Sequence, residues 1–225
     1  MRRYVLPLLS LYLDFILVNA FVTLASFFLG RAWGYVAGVG APWYAEIGLS
    51  VVLVGLARAL GVSAGERLLA PARDLADQEP RPRLWANLAL GTFLLLDGLK
   101  QMVRWSQLDA VLPVFGLTET TPLKAALLLA MGALYLAAGA LVLRFAPRAR
   151  LAALAVLAVS TLSLVLSWRV LPEAIARVQA ARREMQGLPL REGEVEAMQA
   201  MLPWLAAGGL VLILLLLALS RERPA

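Results

Sequence analysis

Few residues in this chain could do chemistry, and those few are acids and amides set in apolar runs. Asp14 lies in "LSLYLDFILVNAF" (residues 9–21), with Asn19 five residues on. Asp97 lies in "LLLDGLKQMV", with Lys100 three residues later on the same helix face. A single Asp or Lys near the bilayer centre costs roughly 2.5–3.5 kcal/mol. Such groups therefore face the bundle interior or water and are paired. Asp97 and Lys100 can neutralise each other, which leaves Asp14 without an evident opposite charge. Two readings of Asp14 stay open. In one it is polar glue between helices, either protonated because desolvation disfavours its ionised form or hydrogen-bonded to Asn19 or a neighbouring helix. In the other, Asp14, Asn19 and Asp97 form a site for a proton or monovalent cation, with Lys100 as an internal competitor. A contact with a partner protein is a third use.

Other chemistry is excluded by what is missing. The chain has no His and no Cys, which removes Ser-His-Asp and Cys-His sets, thiolate metal sites and disulfides. Gly34, Gly38 and Gly40 lack the Lys-Ser/Thr of a phosphate loop. The chain is thus expected to be no enzyme, with no cofactor and no metal site. Its net charge of +6 comes from 21 basic and 15 acidic residues. That balance does not require nucleic acid, because basic residues collect at cytoplasmic helix ends in membrane proteins.

These groups must be positioned by membrane helices. Of 225 residues, 61% are hydrophobic and 16% charged, and the mean hydropathy is +0.76; a soluble domain rarely has such a balance. A span needs roughly 20 apolar residues, and six segments qualify: 4–29, 42–60, 84–103, 123–145, 151–171 and 201–220. Lipid offers no partner for free backbone groups, so each is a helix. The first run lacks a small-x-small cleavage site and is expected to stay in the membrane. Thr121 or Glu119 can cap the fourth span, with Pro122 in its first turn. Trp33, Trp43, Tyr44, Trp85, Trp105, Trp168 and Trp204 sit at span ends, as interfacial anchors do. Twelve Arg residues fall on one side, among them Arg2, Arg3, Arg58, Arg221 and Arg223, and at most nine basic residues on the other. Both termini are therefore expected in the cytoplasm of a bacterial inner membrane.

Two segments outside the spans stand out. In 172–200, Ile175, Val178 and Met185 share a stripe, Glu173 and Arg177 pair at i,i+4, and "GLP" breaks the pattern before Glu192, Glu194 and Glu196. This reads as an extramembrane helical hairpin, either a solvated connector or a lid or docking surface. In 61–83, Gly61 and Gly65 permit a tight re-entry, and Arg67 and Arg73 can reach lipid phosphates along the interface. Within the spans, Gly132 and Gly139, and Ala133 with Ala137, favour close helix packing. Ser160, Thr161, Ser163 and Ser167 are expected to bond their own i−4 carbonyls.

The run Gly61, Ser63, Gly65, Arg67, Leu68, Leu69 after a second span, with Asp14 in "LYLDFIL" of the first, resembles the RDD family of small bacterial membrane proteins. The resemblance covers residues 1–110. It departs where the family has an Arg two turns before the first-span Asp, here Leu6-Pro7-Leu8. Glu66 stands for the usual Lys, and only Asp109 matches the later family Asp. The resemblance implies a multi-pass inner-membrane protein suspected of cation or proton transport.

The sequence therefore leads to an all-α polytopic bundle of six transmembrane helices with an extramembrane hairpin at 172–200. Residues 1–110 form an RDD-like three-helix module with an interfacial segment at 61–83, and residues 111–225 a second three-helix module. Transport through the carboxylates is one expected function; an accessory or scaffold subunit that docks a larger membrane complex is the other. Expected partners are the lipid bilayer, protons or monovalent cations, and a membrane protein at 172–200, with no nucleic acid. The two halves show no internal repeat of the kind transporters often carry.

Overall fold

A computed structural model describes residues 2–32, 43–75, 81–104, 112–185, 187–189 and 193–220. They form eight helices: α1 (Arg2–Ala32), α2 (Trp43–Ala59), α3 (Ala64–Leu75), α4 (Arg81–Arg104), α5 (Pro122–Leu143), α6 (Ala149–Ser167), α7 (Leu171–Met185) and α8 (Glu194–Leu219). Among the described residues the only strand-like pairing is the bridge between Val114 and Leu117. The chain is an all-α membrane protein. Among the described residues, four helices are long and apolar enough to cross a bilayer: Val5–Ser26 of α1, α5, α6 and α8. The bent pair α2–α3, broken by 57°, makes a fifth if it counts as one span. The third expected span, 84–103, lies in α4 and falls outside this set. The 24 residues of α4 are long enough, but Asp97, Lys100 and Gln101 lower its hydropathy. Helix α4 is nonetheless central, packed against α1, α3, α5 and α8. Leu84, Asn87, Leu88, Leu90 and Leu94 of α4 are each at most 2% exposed.

The α4–α5 contact is a two-sided glycine seam. A Cβ on Gly98 would stand 3.0 Å from the Gly132 carbonyl oxygen, and one on Gly132 2.9 Å from that of Gly98. Gly91 and Gly139 oppose each other in the same way, at 3.1 and 2.9 Å. Two glycines seven residues apart on each helix let two antiparallel backbones touch, the close approach that small residues provide in membranes. Gly132 and Gly139 act as expected. Ala133 and Ala137, by contrast, are exposed on the other side of α5. The boundary drawn at 110/111 lies outside the described residues, and this seam joins the helices on either side of it.

The start of α5 follows its sequence: Thr121 accepts a hydrogen bond from the Lys124 amide and Pro122 occupies the first turn. The serines of α6 depart from expectation. Ser160 does bond its own i−4 carbonyl, Val156, at 2.7 Å. Ser163 and Ser167 instead accept the amides of Phe115 and Gly116, at 3.1 and 3.0 Å. The turn at 114–117, with Phe115 at φ 49 and Gly116 at φ 81, needs outside acceptors for these inward amides, and α6 supplies them.

The hairpin consists of α7 and the first turns of α8. Helix α8 runs unbroken from Glu194 through Pro203 into the membrane segment, so the second arm is one with the last span. Arg183 and Glu194 join the arms at 2.6 Å, and Arg177 pairs with Glu173 at 2.6 Å on an exposed face. Trp33, Trp105, Asp109 and Glu192 lie outside the described residues.

Candidate functional site

The site grows from a single turn of α1. Ser10 and Asp14 are four residues apart, hence on one face, and both are buried, at 0% and 4% exposure. Helix α2 brings its last turn to the same level. Gly61, at φ 70, then turns the chain, and α3 starts against α1. Each element of the glycine motif has a distinct physical task. Gly61 takes the left-handed conformation that reverses direction. Ser63 caps α3, its Oγ accepting the Glu66 amide at 3.0 Å. Gly65 lets two backbones meet: a Cβ there would lie 2.2 Å from the Ser10 carbonyl oxygen.

Asp14 closes this junction. Its Oδ1 accepts the Gly65 amide at 2.7 Å, and its Oδ2 accepts the Ser63 hydroxyl at 2.7 Å. The same Oδ2 accepts Arg58 Nε at 3.0 Å. Arg58 Nη2 also donates to Ser10 Oγ at 2.7 Å. The carboxylate thus sits at the positive N-terminal end of α3 and against a guanidinium, two sources of favourable charge. The expectation that Asp14 lacks an opposite charge is corrected here. Arg58, read from sequence as one of many cytoplasmic flank residues, reaches back into the bundle to meet it. Its side chain keeps 28% exposure, whereas that of Asp14 has 5%.

The other candidates do not join this cluster through any hydrogen bond or ion pair among the described residues. Asn19 accepts the Ser50 hydroxyl at 3.1 Å, a separate α1–α2 tie. Ser50 itself returns to the Glu46 carbonyl at 2.7 Å. The Asp97 carboxylate lies near the Tyr135 hydroxyl, whose proton goes to Ser160 Oγ, since Ser160 donates its own to the Val156 carbonyl. Lys100 is exposed and forms no ion pair with Asp97 among the described residues, so the expected mutual neutralisation is absent. The two are three apart, but Asp97 stands beside Tyr135 of α5. Lys100 instead lines a cavity of about 190 Å³ between α1 and α4, together with Asn19 and Thr23.

Of the expected interfacial residues, Arg67 and Arg73 are exposed on α3. Gly65 is not at a lipid surface: it is buried between α3 and α1, because only a hydrogen fits there. One side of α3 is equally enclosed, with Leu69 and Ala72 at 0% exposure in a cluster with Leu6, Leu13 and Leu88. Sequence reasoning missed Ser10, Arg58 and the capping task of Ser63. The signal was the i,i+4 pair Ser10–Asp14 facing a motif that holds both a helix cap and a close-contact glycine.

No group of three or more acidic side chains suited to a metal ion occurs among the described residues. Fold and site together define a polytopic helical membrane protein whose first three helices are locked by a buried polar junction. Comparison with protein-family models, with curated proteins and with solved structures gave no match.

Proposed function

We propose that this chain is a non-catalytic scaffold or accessory subunit of a membrane complex, an RDD-like six-span protein of the bacterial inner membrane with both termini in the cytoplasm. The engagement of Asp14 carries this reading. Its carboxylate accepts three donors, which leaves it poorly placed to bind and release an ion. The exposed charges of the α7–α8 hairpin, Glu173 and Arg177 among them, give a membrane-protein partner a surface at 172–200. Arg67 is exposed toward lipid headgroups, and Arg73 stands 3.9 Å from Glu66 beside it.

A second reading is cation or proton transport, and one observation favours it. Asp97, Tyr135 and Ser160 place polar groups on α4, α5 and α6, and Asn19, Thr23 and Lys100 line a cavity between α1 and α4. Proton and Na⁺ flux in proteoliposomes separates the two. The scaffold reading expects no flux above protein-free vesicles for wild type, Asp14→Asn and Asp97→Asn alike. Wild-type flux that Asp97→Asn abolishes would replace it with the transport reading.

A further inference from the structure

The outer surface beside the Asp14 junction holds a groove of about 500 Å³. Its walls are two helical stripes with the same 0, 3, 4, 7 spacing: Leu8, Leu11, Tyr12 and Phe15 of α1, and Val51, Val54, Gly55 and Arg58 of α2. The walls are apolar and mostly exposed, with Leu8 at 63% and Val51 at 56%, over a buried floor at Val54. Gly55 creates the depth: a Cβ built there meets no atom within 4 Å. At Arg58 the groove meets a cation. Two of the guanidinium nitrogens are engaged, Nε by Asp14 and Nη2 by Ser10. The third, Nη1, has Glu66 Oε1 at 3.9 Å, an ion-pair distance outside hydrogen-bond range.

An apolar channel ending at a guanidinium with unspent donors is complementary to one kind of membrane molecule. We propose that it binds an anionic phospholipid, with one acyl chain along the α1–α2 groove and the phosphodiester on Arg58 Nη1. The chain covers Leu11, Tyr12 and Val51, which would otherwise face loosely packed hydrocarbon. The phosphate adds a bidentate-capable partner to a side chain already held in place by Ser10 and Asp14, so little rotamer freedom is lost on binding. Bound lipid thereby braces the residue that neutralises Asp14.

Gly55→Leu tests this, because its Cβ meets no atom within 4 Å and the longer side chain then occupies the groove. Native mass spectrometry of the purified chain, titrated with phosphatidylglycerol or phosphatidylcholine, reads the retained lipid. Wild type should hold one phosphatidylglycerol at least fivefold more tightly than phosphatidylcholine. Gly55→Leu should weaken that binding at least tenfold with an unchanged melting temperature in detergent. Val51→Trp, at an exposed groove wall, should do the same and serves if Gly55→Leu does not fold. Unchanged retention in both variants would overturn the proposal. So would equal retention of the two lipids by wild type, or a wild-type dimer that Gly55→Leu makes monomeric.

Discussion

Gly65→Ala should unlatch α3 from α1 and cost more than about 3 kcal/mol, above the usual range for overpacking. The methyl would stand 2.2 Å from a backbone oxygen of Ser10, and a backbone cannot rotate aside as a side chain tip can. The only relief is to move α3 as a unit. That motion also pulls the Gly65 amide from Asp14 Oδ1 and strips Leu69 and Ala72 from the cluster with Leu6 and Leu13. Gly48→Ala is the control: it meets nothing within 4 Å, and an alanine inside a helix gains roughly 0.5–1 kcal/mol over glycine. Thermal unfolding in detergent should therefore show a large fall for Gly65→Ala and none for Gly48→Ala.

Asp14→Ala should be the second most damaging change, at about 2–4 kcal/mol, because three donors lose their acceptor at once. The Ser63 hydroxyl and Gly65 amide are buried and find no substitute within the junction. The Arg58 guanidinium recovers part of its solvation, since its side chain is 28% exposed. That access places the cost below the figure for a fully enclosed ion pair. Asp14→Asn keeps one acceptor oxygen and should fall between wild type and Asp14→Ala in the same unfolding measurement.

Much of the fold was legible in the sequence because helix boundaries in a membrane protein are written by apolar length, aromatics and prolines. The capped start of α5 at Thr121–Pro122 is one instance. Gly132 and Gly139 announced a close contact, but the answering pair, Gly91 and Gly98, lies on a helix whose polar residues drew attention to chemistry instead. The i,i+3 spacing of Asp97 and Lys100 promised a salt bridge. Spacing along one helix cannot register Tyr135 on the next, and the carboxylate stands beside that residue with no ion pair to Lys100 among the described residues. Asp14 was recognisable as costly, yet its counterion was hidden. Arg58 sits 44 residues away at a helix end, where basic residues are ordinary.

The unfolding free energies of Asp14→Asn, Arg58→Gln and the double variant most directly test whether Asp14 is a structural clamp. In a double-mutant cycle, contacting charged partners should show a coupling of about 1.5–3 kcal/mol, with the second substitution costing little once the first is made. Costs that add to within about 0.5 kcal/mol would mean that the two side chains do not hold each other, and Asp14 would be free for an ion after all.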